Sequence, residues 1–544
     1  MIRWFVIVGL VVGGAVLATL ALLHGWAWWL LAAPLLVVGL VGVSDLLQRR
    51  HSILRNYPVL GHFRFAAELI RPEIQQYFVE SNTDGAPFDR ETRDLVYARA
   101  KGDEDAEPFG TERDVNAVGY EFVTHSLSAR QAAGDLPSVR LGGPRCTRPY
   151  DIALLNVSAM SFGSLSGNAI EALNAGAALG GFAHDTGEGA ISPYHLKHGG
   201  DLIWELGSGY FGCRTPEGRF DAEAFARKAR GESVKAISVK LSQGAKPGLG
   251  GVLPGAKVNA EIAATRHVPE GHTVVSPPAH PEFGSARELV HFVERLRDLS
   301  GGKPVGIKLC VGSRHEFLAI CKAMDEEDAG PDFVIVDGSE GGTGAGPVEF
   351  EDHVGTPLTE GLIFVHNALT GVGLRDRVKI GVSGKVATGI DVVKRICQGA
   401  DFTLAARAMM FAVGCIQAQA CHTNRCPVGV ATQDPWRARA LRVDDKALRV
   451  RNFQAATVAS AHQIVASMGL SSFDELHPGL LNRRLDHHVT TSYAELYDWL
   501  ERGQLHVAAP EAWRADWALA DPDDFGARVS NRPPGFRPQA AGLG

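Results

Sequence analysis

"FVIVDGSEGGTGAGP" runs from Phe333 to Pro347. An apolar, β-branched run ends on an aspartate, and glycines follow at close intervals. The first half predicts a short buried strand. The second half predicts a loop whose backbone comes close to a ligand with its N–H groups turned outward. The same phrasing recurs along the chain. Strand candidates are "DIALLNVSA" (151–159), "GGFAHDT" (180–186), "AISVKL" (236–241), "TVVS" (273–276), "VGIKLC" (305–310), "FVIVDG" (333–338), "VKIGVSG" (378–384) and "DFTLAA" (401–406). Helical stretches such as "SGNAIEALNAGAAL" and "ARELVHFVERLRDL" lie between several of them. Eight strands alternating with helices predict an α/β fold of the (β/α)8 TIM-barrel class. A doubly wound sheet would want a G-x-G-x-x-G turn after its first strand, and none is there.

The bulk numbers agree with a globular barrel and more. At 544 residues the chain exceeds one barrel of about 250 residues. Apolar content of 45% and charged content of 21% suit a folded protein, and 62 glycines suit many tight loops. A formal net charge of -7 gives no reason to expect a nucleic-acid partner. Eight scattered cysteines do not make a disulfide framework.

Residues 1–50 differ from the rest. Trp4 to Leu23 is an apolar run long enough to cross a bilayer, "HGW" breaks it, and a second run goes from Ala27 to about Val43. A cleaved signal peptide is the competing reading. Two long segments back to back, with no clean small-residue cleavage site, favour a transmembrane helical hairpin. Arg3, Arg49, Arg50 and Arg55 then mark the cytoplasmic side, with Trp26, Trp28 and Trp29 at the far interface. The expectation is a membrane-anchored protein, in an inner or cytoplasmic membrane, with its catalytic domain in the cytoplasm. Residues 51–145 are turn-rich and polar and read as a lead-in or cap. Residues 146–435 carry the barrel, and 436–544 read as a helical extension.

A barrel does its chemistry on the loops after its strands, and the unusual residues fall there. "AMSFGSLS" (159–166), "TGEGA" (186–190), "SQGAKPGLGGVLPG" (242–255), "SPPAHPEFGS" (276–285), "DGSEGGTGAGP" (337–347) and "SGKVATGID" (383–391) each follow a predicted strand. Several glycine-rich loops on one face predict a phosphate-bearing cofactor; plain turn chemistry is the alternative. The loop after the seventh strand offers free N–H groups, Lys385 and a helix N-terminus. Ser161, Gln243, Lys308, Gly341, Gly342, Gly384 and Lys385 are the candidate cofactor contacts. Lys240 and Lys308 lie inside apolar strands, so they either face the ligand cavity, where a cation stabilises a reduced flavin, or snorkel to water. Lys246 could bind a substrate carboxylate and Glu188 could move protons or orient a nitrogen donor. Both could equally be surface loop charges.

"GCIQAQACHTNRCPVGV" (414–430) sets Cys415, Cys421 and Cys426 in a C-x5-C-x4-C pattern. Structural zinc wants four ligands, usually from close pairs. His422 directly follows Cys421, and adjacent side chains rarely converge on one ion. A cuboidal iron–sulfur cluster takes closely spaced thiolates from one segment, and three of them suit a [3Fe–4S] cluster. Three structural thiols are the other reading.

These stretches together resemble the synthase domain of glutamate synthase, in its FMN-binding family. "AMSFGSLS", "TGEGA", "SQGAKPGLGGVLPGAKV", "SPPAHPEF", "DGSEGGTGAGP" and "CHTNRCPVGVATQ" match in order over about 155–433. The resemblance implies a barrel with FMN and a [3Fe–4S] cluster held by Cys415, Cys421 and Cys426. It implies 2-oxoglutarate binding by Lys246 and Arg266 and an active-site role for Glu188. Electrons would enter through the cluster, reduce FMN and pass as a hydride to 2-iminoglutarate, formed from the oxo acid and ammonia. No amidotransferase stretch with a nucleophilic cysteine is matched, so ammonia is expected free, from another amine, or from an amidotransferase or other partner subunit. No nicotinamide fingerprint appears, so the expected donor is ferredoxin or a similar protein. The family's "KPGEGGQLPG" reads "KPGLGGVLPG" here: Leu249 and Val252 replace a glutamate and a glutamine. Two rival functions remain, an FMN-dependent oxidase or dehydrogenase of another acid or amine, and an electron-transfer subunit of a membrane complex.

Overall fold

The computed structural model describes residues 2–132 and 137–526. The chain forms two units, Met1–Arg90 and Glu91–Gly544.

In the first unit, α1 (Ile2–His24) and α2 (Trp29–Leu47) form an antiparallel pair. Gly25 makes the turn at φ 114°, a conformation that costs any other residue. The helices approach closely at glycines: a Cβ on Gly14 would lie 2.8 Å from Leu36, and one on Gly39 2.9 Å from Val11. Both helices are long and apolar enough to cross a membrane. A third helix, α3 (Gly61–Ile74), follows.

The second unit is built on a closed barrel of eight parallel strands. They are β1 (Leu155–Val157), β2 (His184–Asp185), β3 (Leu202–Leu206), β4 (Val234–Lys240), β5 (Val305–Leu309), β6 (Phe333–Asp337), β7 (Lys379–Ser383) and β8 (Phe402–Ala405). β8 pairs back onto β1 through Thr403 and Leu155. The predicted barrel class is therefore the observed one, with one exchange of strands. "LIWEL" (202–206) is β3, which the sequence reading passed over. "TVVS" (273–276) lies outside the barrel: Val274–Val275 pair with Val252–Leu253 in a small hairpin. Burial explains both. All of β3 is buried, as a strand with barrel lumen on one side and helices on the other must be, whereas Val274 is buried and Val275 is 63% exposed. The loops 242–255 and 276–285 thus both belong to one long excursion between β4 and β5.

Helices pack outside. α4 (Gly167–Gly180) follows β1, and α5 (Gly389–Cys397) follows β7. α6 (Val443–Ser467) packs on α4 at Gly176, where a Cβ would lie 2.7 Å from Val450. Not all of the C-terminal region is helical. Leu481–Arg484 and Thr490–Ser492 form a three-stranded antiparallel sheet with Glu121–Val123.

Candidate functional site

Lys240 ends β4 and Lys308 is its register partner on β5, so two ammonium groups sit side by side in the barrel mouth. Two buried like charges need acids between them. β3 supplies Glu205: Lys308 Nζ donates to its Oε2 at 3.0 Å, and Lys240 Nζ lies 4.0 Å from its Oε1. The loop after β2 supplies Glu188, whose Oε1 is 3.0 Å from Lys240 Nζ. β6 supplies Asp337, 4.0 Å from Lys308 and accepting from Gly244 N at 2.8 Å. Burial alone would lower the Lys308 pKa, but the carboxylates of Glu205, Asp337 and Asp185 outweigh it and hold the ammonium charged. Burial would raise Glu188, yet Lys240 and Arg266 outweigh it and hold its pKa below the ordinary value. Asp185 goes the other way: burial first, then Glu205, push it up to about 8. The mouth therefore holds the carboxylates of Glu188, Glu205 and Asp337, the raised Asp185 carboxyl and two lysines within one network.

The excursion closes over this network. Ser276 Oγ donates to Glu188 Oε2 at 3.1 Å. His280 donates from Nε2 to the Lys240 carbonyl at 2.8 Å and accepts from Tyr210 at 3.0 Å, with burial lowering its pKa to about 4. That imidazole is a neutral strut. Arg266 ends the Ala260–Arg266 helix, and its Nη2 donates to Ser161 Oγ at 3.1 Å and to the Phe162 carbonyl at 2.9 Å. Burial lowers its pKa to about 10, and its guanidinium lies over the Phe211 ring. Lys246 is buried and donates to the Ala345 carbonyl at 2.8 Å, in the loop after β6. Burial lowers its pKa too.

Glu188, Gln243 and Lys308 share this network, and Ser161 joins it through Arg266. Gln243 accepts from Lys240 at 2.8 Å, while its own amide Nε2 is buried without an acceptor among the described residues. Arg266 Nε is likewise buried and unpartnered. The orphan Gln243 amide, with the Lys308 ammonium, fits a ring with carbonyl oxygens and anionic character, as FMN has, and the orphan Arg266 Nε suits a carboxylate. Gly341 and Gly342 lie on the loop after β6, where a Cβ on Gly342 would come within 3.2 Å of the Arg407 side chain. Gly384 and Lys385 follow β7, with Lys385 at φ 50°. The helix Gly389–Cys397 lies beyond them. The N–H groups of Ala387 and Thr388 donate to Asp391 Oδ2 at 3.1 and 3.0 Å, and Asp391 N donates to Thr388 Oγ1. This capping box takes up the N–H groups of Ala387, Thr388 and Asp391 at the start of α5.

Sequence reasoning missed Glu205, Asp185, Asp337 and His280. The signal was present in the two strand lysines: cations at 240 and 308 require buried carboxylates facing them.

The three thiols lie on the loop after β8 and the helix Arg407–Ala412. Burial raises the Cys415 pKa to about 12 and raises Cys421, and the neighbouring sulfurs add to both shifts. Gln417 N donates to Cys415 Sγ at 3.4 Å. Buried Lys257 donates to the carbonyls of Ser164 and Cys421 at 2.7 and 3.1 Å. Among the described residues no three His, Cys, Asp or Glu groups converge as on a single metal ion. The loop thus brings together neighbouring thiols, a backbone N–H on the Cys415 sulfur and a buried ammonium.

Comparison with known proteins follows the same outline. The family model described as the conserved region in glutamate synthase matches residues 147–471. Glutamate synthase large subunit-like protein YerD of Bacillus subtilis (strain 168) is 37% identical over 484 residues, 81% of this chain and 92% of that one. An archaeal glutamate synthase (NADPH) of Methanocaldococcus jannaschii is 35% identical over 321 residues, 59% of this chain and 60% of its own length. Among solved structures, a mandelate oxidase with (S)-4-hydroxymandelic acid aligns at a TM-score of 0.42 and 16% identity, over 78% of this chain and 97% of that one.

Proposed function

The chain belongs to the glutamate synthase family, and from that premise we propose a membrane-anchored FMN and iron–sulfur oxidoreductase that reductively aminates 2-oxoglutarate, or a related oxo acid, to the amino acid. The observation that carries the reading is the buried network of Glu188, Lys240, Glu205 and Lys308 in the barrel mouth. FMN, when bound, supplies the hydride that reduces an imine. The chain does the rest. Lys308 and Gln243 stabilise negative charge on the ring. Lys246 and Arg266 bind and orient the oxo acid through its carboxylates. Glu188, ionised and fixed by Lys240, accepts a proton from the incoming amine. The loop after β2 and the 241–304 excursion exclude water from the reacting carbon. Cys415, Cys421 and Cys426 would hold a [3Fe–4S] cluster that takes electrons from a ferredoxin-type donor. Ammonia comes free or from an amidotransferase or other subunit.

α1 and α2 support anchoring in the cytoplasmic membrane, with Arg49, Arg50 and Arg55 on the cytoplasmic side.

A second reading has one specific observation behind it. Leu249 and Val252 are each 39% exposed and flank Gly251, whose Cβ would collide with Glu188 Oε1. Apolar side chains at that place favour an acid with a less polar tail than 2-oxoglutarate. The test is product formation under a chemical reductant with labelled ammonium. Labelled glutamate from 2-oxoglutarate supports the first reading. Labelled amino acid only from oxo acids with apolar tails supports the second, and no amino acid from any oxo acid contradicts both.

A further inference from the structure

The first unit carries a surface that the barrel chemistry leaves unused. α3 bears Phe63, Ala67, Ile70 and Ile74 at i, i+4, i+7 and i+11, with Tyr77 just beyond, in a π-helical turn over Gln75–Val79. At helical spacing these form one stripe. A water-soluble helix buries such a stripe; here Phe63 is 72% exposed and Ile70 52% exposed. The flank of the stripe carries Arg64, Glu68, Arg71 and Gln75, with Arg64 Nε bonded to Glu68 at 2.8 Å. Residues 48–74 hold five arginines (49, 50, 55, 64 and 71) against two acids, Glu68 and Glu73.

The turn into α3 is tied to the end of α2. Asp45, buried near the last turn of α2, accepts from Val59 N at 2.8 Å and bonds His62 Nε2 at 2.9 Å. Gly42 of α2 packs beside Ile7 and Val59. The start of α3 is thereby held at the level where the apolar pair ends and its arginines begin. An amphipathic helix with an apolar stripe and flanking arginines, fixed at that level, has the makeup of an interfacial helix.

We propose that α3 lies along the surface of the bilayer that α1 and α2 span. Its stripe enters the boundary between headgroups and acyl chains, and its arginines meet anionic lipid. The inference rests on the membrane reading of α1 and α2. The test uses the full chain in phosphatidylglycerol–phosphatidylcholine vesicles. An environment-sensitive fluorescent amino acid stands at position 70 in one sample and at 68 in another, with lipids brominated near the headgroup as quenchers. Alkaline carbonate extraction tests α1 and α2 independently. The expected result is a carbonate-resistant chain whose position 70 is quenched several-fold more than position 68. A carbonate-resistant chain with equal quenching at both positions overturns the proposal while leaving the anchor standing. So does a photocrosslinker at position 70 that ties two copies together instead of labelling lipid. Release of the chain by carbonate overturns the membrane reading itself.

Discussion

The barrel mouth and the thiol loop both gather ionisable side chains, but they are built on opposite terms. In the mouth, both strand lysines are met by a carboxylate of the chain: Lys308 by Glu205 at 3.0 Å, Lys240 by Glu188 at 3.0 Å. In the thiol loop, burial and neighbouring sulfurs raise the Cys415 and Cys421 pKa values, and the nearby buried cation, Lys257, donates to carbonyls. The first network is electrostatically satisfied within the chain, so it presents a preformed geometry to whatever enters. The second stabilises thiolates only when something from outside accepts them.

The largest expected effect breaks the first side of this contrast. Glu205→Gln leaves Lys308 buried with its nearest carboxylate removed, and stability falls by about 3–5 kcal/mol. Denaturant midpoints measure it, and a loss under about 1 kcal/mol would mean the mouth is solvated rather than preformed. The next effect is a pH dependence. Asp185 has a folded pKa of about 8 against an ordinary 3.8. A raised carboxyl binds its proton more tightly in the folded state, so its stabilising contribution is full below about pH 4 and is lost as pH rises through 8. Asp185→Asn should flatten the stability profile across that window, and an unchanged slope in denaturant titrations would contradict the assignment. Lys246→Gln comes third. Removing a charge-assisted contact worth about 1.5–3 kcal/mol raises KM for the oxo acid about 10–100-fold, with flavin content unchanged. Cys426→Ser changes stability least, by about 1 kcal/mol. It should abolish bound iron and acid-labile sulfide while flavin stays, as elemental analysis and absorbance would report. Iron retained in that variant would sink the cluster assignment.

The barrel was legible because its strands are apolar runs ending on glycine-rich loops, as at 333–347. The strand exchange was not. "LIWEL" hides a buried glutamate inside an apolar run, and its partner lysines stand 35 and 103 residues later, at 240 and 308. A single acid in such a run reads as an interruption until the cations that face it are known. "TVVS" has the β-branched composition of a core strand yet alternates buried and exposed, which composition alone does not distinguish. Glu188 and Lys246 stood out by position on loops after strands, whereas Arg266, at the end of a helix inside the excursion, stood out only through the family resemblance. The self-capping of α5 was written in Thr388 and Asp391, three apart, a capping-box spacing.

The most direct test of the central claim is anaerobic. The protein, purified in detergent, is reduced chemically, and flavin absorbance is followed on adding 2-oxoglutarate with and without ammonium. The account predicts reoxidation only when both are present, with glutamate formed in proportion. A flavin that is bound and reducible but indifferent to every oxo acid with ammonium would contradict it.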